Sequence, residues 1–212
     1  MKHYIEITLM DNADFNLFSL WSKVFQQIHL GLVEMQDDQG RVPIGLSFPE
    51  YVIGDKYSIL GSKLRLFAND EVVLKQFDAV KWLARLSDYV HSTSIRPIPE
   101  KIIGYAIYQR EQPKTNPERL ARRYANPDRL AKRQVYFKSQ GKEVVDSNFE
   151  NALTLFSKKN YQTINSPFIR LKSLSSDNNF CLWIKKTPVD IQSNTAQFSS
   201  YGLSALSTVP EF

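Results

Sequence analysis

Two near-copies of one phrase, NPERLARR from Asn116 and NPDRLAKR from Asn126, concentrate the cations of this chain. In each, Asn is suited to cap a helix and Pro to sit at its first position, where the missing N–H costs nothing. Arg119, Arg122 and Arg123 then fall at i, i+3 and i+4, so their guanidinium groups share one helical face. Arg129, Lys132 and Arg133 repeat that spacing. Ten residues turn an uninterrupted helix by about 1000°, which sets the second cluster roughly 80° from the first, and Pro127 is expected to break or kink the helix in any case. A face of this kind suits the phosphates of a polyanion. A solvated charged face is the competing reading of the same cations.

Groups able to do acid–base or metal chemistry are sparse. There is no CxxC pair, no HExxH, no Gly-rich phosphate loop and no carboxylate cluster of the kind a two-metal nuclease needs. The histidines are His3, His29 and His91, and a lone histidine is more often structural than catalytic. RNA, however, asks little of a catalyst. Its 2′-hydroxyl is an internal nucleophile, so one base and some transition-state stabilisation can cut the adjacent phosphodiester without metal.

These residues need elements to position them. The chain has 212 residues, 42% hydrophobic and 12% aromatic, enough to bury a core in one large or two small domains. Cys181 is the single cysteine, so no intrachain disulfide forms and a reducing compartment is expected. No apolar run reaches the length of about 18 residues that spans a bilayer, and MKHYIEITLM alternates instead of forming a signal peptide's apolar block. A soluble, cytoplasmic protein is expected. Residues 1–98 hold 10 Lys/Arg against 12 Asp/Glu, while residues 99–212 hold 17 against 10. The excess charge thus lies in the second half, and Arg110–Lys142 alone has ten cations against three anions.

Ile5, Ile7 and Leu9 mark a first strand; Leu17, Leu20, Trp21, Val24 and Ile28 mark a helix from Asn16 to about Leu32, with His29 in its last turn. IGLSF and KLRLFA have the character of short strands, and Asn69 to Val90 reads as largely helical. One more strand would complete a ferredoxin-like (RRM-like) βαββαβ unit. SIRPIPEK is the candidate linker. After it come a strand in KIIGYAIYQR, the NP-helices, a helix near 147–158, a hairpin of PFIRLKS and NFCLWIKK, and a strand in FSSYGLS. The expected class is α+β: residues 1–97 a ferredoxin-like domain, and residues 98–212 a smaller α+β RNA-binding domain carrying an arginine-rich helix.

Taken in order, HYIEITL, His29 on the first helix, IGLSFPEY, REQPKTNPERLARR, SPFIRLKSLSSDNNFCLWI and SSYGLS followed by VPEF make a collinear pattern over nearly the whole chain. It resembles the type I-F CRISPR repeat-processing endoribonucleases. The resemblance implies a metal-independent endoribonuclease that binds the stem-loop of a CRISPR repeat transcript, cuts at the 3′ base of the stem to leave a 2′,3′-cyclic phosphate and a 5′-hydroxyl, and stays on the hairpin beside other subunits of a guide-RNA surveillance complex. It implies neither cofactor nor metal nor membrane.

Residue by residue, the resemblance makes His29 the general base, Ser173 the serine that holds the ribose, and Tyr201 the tyrosine that orients the histidine. Arg110 and Gln112 match readers of base edges at the foot of the hairpin, by the usual Arg–guanine and Gln–adenine complementarity. Lys114 joins the RNA-binding residues of the same block. Phe180 matches an aromatic that stacks on the terminal base pair, and Ser175 a serine near the scissile region. Arg119, Arg122 and Arg123 match the start of a helix laid in the major groove of the stem, where an A-form duplex offers phosphates and shape more than bases. The pattern departs at YANPDRLAKR, where family members continue with further arginines. Two alternatives stand beside this reading: a non-catalytic RNA-hairpin-binding module, and a DNA-binding regulator using the basic helix.

Overall fold

A computed structural model describes residues 1–10, 16–112, 117–141, 148–157, 164–173 and 177–212, and the side chains of residues 117–119 lie outside that description. The first elements are β1 (His3–Leu9), α1 (Leu17–Glu34), β2 (Arg41–Val42), β3 (Gly45–Ser47), β4 (Val52–Ile53), β5 (Ser58–Ile59) and β6 (Lys63–Ala68). Next come α2 (Glu71–Phe77), α3 (Ala79–Leu83), a 3₁₀ turn (Ala84–Leu86), β7 (Val90–Ser92), β8 (Arg96–Pro97) and β9 (Gly104–Glu111). The helices α4 (Pro117–Tyr124), α5 (Pro127–Ser139) and α6 (Phe149–Ser157) precede β10 (Phe168–Lys172), β11 (Asn179–Val189), β12 (Phe198–Ser199) and β13 (Val209–Glu211). The chain is α+β. Among the described residues no helix is long and apolar enough to cross a membrane.

Contacts gather the chain into two compact units, Met1–Glu111 with Asn165–Phe212, and Gln112–Ile164. In the first unit an antiparallel sheet has the order β3-β6-β1-β7, with β8 also paired to β1. With α1 and α2–α3 between its strands, that order is the ferredoxin-like βαββαβ arrangement expected from the sequence. SIRPIPEK is more than a linker: Arg96 and Pro97 pair with Tyr4 and His3, and the Ile98 N–H donates to the Lys2 carbonyl at 2.9 Å.

The helix expected over Asn69 to Val90 is broken. Asp78 adopts the left-handed conformation (φ 47°), ends α2, and turns its carboxylate to accept from the Lys81 N–H at the start of α3. An aspartate tolerates that backbone because its short side chain satisfies the turn locally. α1 is uninterrupted. Asn16 caps it by accepting from the Ser19 N–H at 2.9 Å, and Leu20, Trp21, Val24, Phe25, Ile28 and Leu32 form its buried stripe. At Gly31 a Cβ would come within 2.6–2.8 Å of Trp82 and Phe77, so the missing side chain lets α1 and α3 pack closely.

The second sheet of this unit, order β10-β11-β9-β13, is antiparallel throughout. It joins the core of the first: Ala106, Tyr108, Ile169, Leu182 and Ile184 belong to the same buried cluster as Ile7, Leu64, Leu66, Phe25 and Phe48. Each such fully buried aliphatic or aromatic side chain contributes about 1.5–3 kcal/mol of transfer free energy. The boundary expected at residue 97/98 therefore does not fall between two cores. Tyr108 reaches the Phe48 carbonyl (3.2 Å) and the Glu211 carboxylate (3.0 Å), and burial pushes its phenol far above the ordinary tyrosine range.

The second unit is helical where it is described. Between Tyr124 and Pro127 the chain breaks into two helices, with Asn126 accepting from the Arg129 N–H at 3.3 Å and Pro127 opening the new helix. Both NP-phrases thus start helices, as their residue types predict. α4 packs on α6: Ala121 and Ala152 are buried, and Tyr124 meets Phe156 edge-on, ring centroids 5.5 Å apart.

Candidate active site

His29 lies on the final turns of α1, half-buried, in line with Ser22 and Gln26 and just off the stripe that anchors the helix in the core. Its Nδ1 is 2.8 Å from the carbonyl oxygen of Ser200. A carbonyl only accepts, so Nδ1 carries the hydrogen; in the neutral ring the lone pair is then on Nε2. The ring of Tyr201 lies flat against the imidazole, with centroids 4.2 Å apart and planes inclined by 4°. One short segment therefore fixes the histidine twice, through a backbone oxygen and through a ring face.

That segment is shaped by a turn. The strand expected across FSSYGLS stops at Ser199: β12 pairs with β2 for two residues, and then the Gly202 N–H donates to the Ser199 carbonyl at 2.7 Å. Gly202 has φ +66°, and a Cβ there would stand 2.3 Å from Cγ of Leu46. Its carbonyl accepts from the Leu46 N–H at 2.9 Å. Glycine is required on both counts, and the turn it permits presents Tyr201 to His29.

The contacts continue across the second sheet. Ala106, Tyr108 and Arg110 alternate onto one face of β9, and Phe180, Leu182 and Ile184 onto the same face of β11, where Arg110 pairs with Ile184. Arg110, exposed at the strand end, holds its guanidinium 5.6 Å from the Phe180 ring centroid and 5.8 Å from that of Tyr201. Four of the expected residues thus form one chain of contacts, from His29 through Tyr201 and Arg110 to Phe180. Ser173 directly follows β10, and its N–H donates to the Asn178 carbonyl at 2.9 Å. Gln112 is exposed directly after β9.

In the second unit Arg122 and Arg123 are exposed on α4. Arg133 is engaged locally: it donates to the Tyr124 carbonyl and its guanidinium stacks 3.5 Å above the Tyr124 ring centroid. A cation on the last carbonyls of a helix is a favourable C-terminal partner, so this arginine of the second phrase serves the first helix. Arg123, Arg129 and Arg133 border one hollow of about 410 Å³ with Leu120, Tyr124 and Phe156. Lys114, Ser175 and the Arg119 side chain lie outside the described residues. No group of His, Cys, Asp or Glu able to hold a metal ion is found among the described residues.

One partner in the site escaped the sequence reading. The Ser200 carbonyl is a backbone atom, and no residue type announces it; only the neighbouring SSYGLS turn could have hinted that a main-chain oxygen would face the helix.

A family model described as "CRISPR-associated protein (Cas_Csy4)" matches residues 4–212. The chain is 31% identical over 212 residues to a protein of Escherichia coli (strain UTI89 / UPEC) named "CRISPR-associated endonuclease Cas6/Csy4", covering 100% of both. It is 30% identical over 212 residues to a protein of the same name from Pseudomonas aeruginosa (strain UCBPP-PA14), again with 100% of both covered. A solved structure titled "An RAMP protein binding different RNA substrates" aligns over 99% of each chain at 12% identity with a TM-score of 0.36, a likeness too weak to carry an argument.

Proposed function

We propose, from the premise that the chain belongs to the CRISPR-associated Cas_Csy4 family, that it is an endoribonuclease that processes CRISPR repeat RNA by cutting at the 3′ base of the repeat's stem-loop. The observation that carries the finer part is the linked set His29–Tyr201–Arg110–Phe180, with Nδ1 of His29 committed to the Ser200 carbonyl. This leaves Nε2 of the neutral ring as the base.

Nε2 takes the proton of the 2′-hydroxyl upstream of the cut. O2′ attacks the adjacent phosphorus as the P–O5′ bond breaks, and the leaving oxygen takes a proton from the imidazolium or from water. The products are a 2′,3′-cyclic phosphate and a 5′-hydroxyl, and the balance requires no metal. Ser173 holds the ribose, Tyr201 keeps the imidazole in plane, and Phe180 stacks on the terminal base pair. Arg110 and Gln112 read base edges beside it. Arg119, Arg122 and Arg123 follow the phosphates of the stem, with Lys114 and Ser175 in supporting contacts. The product hairpin stays bound, beside other subunits of a type I-F guide-RNA complex.

The test is incubation of the protein with a repeat hairpin in EDTA. The expected result is a product ending in a cyclic phosphate, with a 2′-deoxy nucleotide before the cut abolishing cleavage and preserving binding. Tight binding of the all-ribose hairpin without any cut would instead establish a non-catalytic hairpin-binding module.

A further inference from the structure

In the row of contacts from His29 to Phe180, Arg110 is the member that touches both ends of the site. Its guanidinium lies 5.6 Å from the centroid of Phe180, the platform assigned to the terminal base pair, and 5.8 Å from that of Tyr201. Tyr201 in turn lies flat against His29, with centroids 4.2 Å apart. Among the described residues the guanidinium meets these two rings and no carboxylate, so its N–H donors stay available to a base. One side chain thus reaches both the base that is read and the ring that holds His29.

The backbone beneath these side chains is fixed. The Ser204 N–H donates to the Tyr108 carbonyl and the Leu46 N–H to the Gly202 carbonyl, both at 2.9 Å, so the turn that carries Tyr201 is tied to β9 and to β3. Tyr108 stands two residues before Arg110 on the same strand, buried and anchored to the Phe48 carbonyl and the Glu211 carboxylate. The Tyr201 ring is half-buried, while the Arg110 side chain is exposed. The part left free to move is therefore the guanidinium arm, and its place decides whether the Tyr201 ring keeps a partner besides the imidazole. A cation over an aromatic face is attracted to it. Guanine fixes the plane of the guanidinium as well as its position, because it accepts two parallel hydrogen bonds from the planar fork. A base that accepts one bond, or none, leaves the arm free to rotate off the ring.

We infer that Arg110 is a positioning residue for His29 that acts through Tyr201: the base it reads fixes its guanidinium against the Tyr201 ring, so the identity of that base sets the rate of cleavage after binding. The inference rests on the endoribonuclease reading above and adds to it a path by which recognition of a base licenses the chemistry.

Four repeat hairpins that differ only in the base pair at the foot of the stem test it. Single-turnover cleavage is timed at saturating protein, and Kd is measured on the same hairpins with a 2′-deoxy nucleotide before the cut. For the wild type the saturated rates should spread by about tenfold or more between the best and the worst pair, as expected when a reacting group is misplaced. Arg110→Ala should shrink that spread to about twofold or less. Tyr201→Leu leaves the arginine in place, so it should shrink the spread in rate to the same extent while the spread in Kd persists. A purely structural role for Tyr201 would instead lower all four rates alike and preserve their spread. The double variant should cut within about twofold of Tyr201→Leu alone, because the two side chains act in series. A spread in rate that survives Tyr201→Leu, or a wild-type spread confined to Kd, overturns the coupling alone. If Tyr201→Leu binds but cuts too slowly to time, the His29 Hε1 resonance of the free protein decides: it should move in Arg110→Ala as the Tyr201 ring shifts, and an unmoved resonance overturns the coupling. Failure of the wild type to cut any of the four hairpins overturns the endoribonuclease reading itself.

Discussion

In the unit formed by Met1–Glu111 and Asn165–Phe212, both sheets and α1 share one buried cluster that runs from Ile7 to Val209. In Gln112–Ile164 the buried side chains among the described residues are Ala121 and Ala152, and the helices are otherwise held by ring contacts and caps. The difference matches what the proposed function asks of each region. Proton transfer needs a base fixed to within a fraction of an ångström, and His29 stands beside the core stripe of the best-anchored helix. Phosphate binding needs charge along a line and tolerates motion, so cations on thinly cored helices suffice.

Substitutions that separate geometry from charge would break or sharpen this contrast. The largest effect is expected at His29: His29→Ala should lower single-turnover cleavage by about 10³-fold, at the upper part of the range for a lost general base, with hairpin affinity unchanged. Cleavage at the wild-type rate would remove the anchored unit's claim to the chemistry. Gly202→Ala comes next. It forces a side chain into the left-handed region and onto Leu46, costing about 1–3 kcal/mol, so the melting temperature should fall and cleavage drop by about tenfold as Tyr201 shifts.

In the helical unit Tyr124→Ala removes the ring that meets Phe156 and supports Arg133. Hydrogen exchange should accelerate across α4–α6 and hairpin affinity fall by about tenfold, or ~1.4 kcal/mol, while cleavage at saturating RNA stays within about twofold. Equal loosening of α1 would show that the two units are not separable. Arg122→Ala and Arg123→Ala should each weaken binding a few-fold and reduce the salt slope by about one, whereas Arg110→Ala should relax discrimination at one base pair.

The smallest effect is expected at Glu50. The Ser62 N–H, 2.7 Å from its carboxylate, is the main cause that holds this group below the usual glutamate range, with the Ser62 hydroxyl at 2.9 Å adding to it. A depressed folded-state pKa contributes stability above the unfolded value, near 4.3, and that contribution disappears as the pH falls through the folded value. Glu50→Gln should therefore lower the melting temperature slightly at pH 7 and converge on the wild type as the pH falls through the depressed folded-state value.

Period and turn chemistry made β1, α1, β6, the β10–β11 hairpin and both NP-helices legible, since each spans enough residues for its pattern to show. Three features were not. The helix break rests on a single left-handed aspartate, Asp78. β13 has three residues, too few to alternate visibly. Arg133 has the same type and spacing as a phosphate-facing cation, and only the position of Tyr124 reveals that it caps a helix. At the candidate site His29, Tyr201, Arg110 and Phe180, all named by the resemblance, stand in one line of contacts, but the Ser200 carbonyl could not be named, because every residue carries one.

Ser166 Oγ donates to the Glu111 carboxylate at 2.5 Å, next to the points where the chain leaves the first unit and re-enters it. Gln112–Ile164 is therefore an insertion, and the two points of the host that flank it are held together. A segment mounted in this way closes its own loop on a preformed clasp, so its length and content change at little entropic cost to the host. That makes it a cassette: the part of the molecule in which charge pattern and helix number can diverge between relatives, or be exchanged by design, while the host keeps its register.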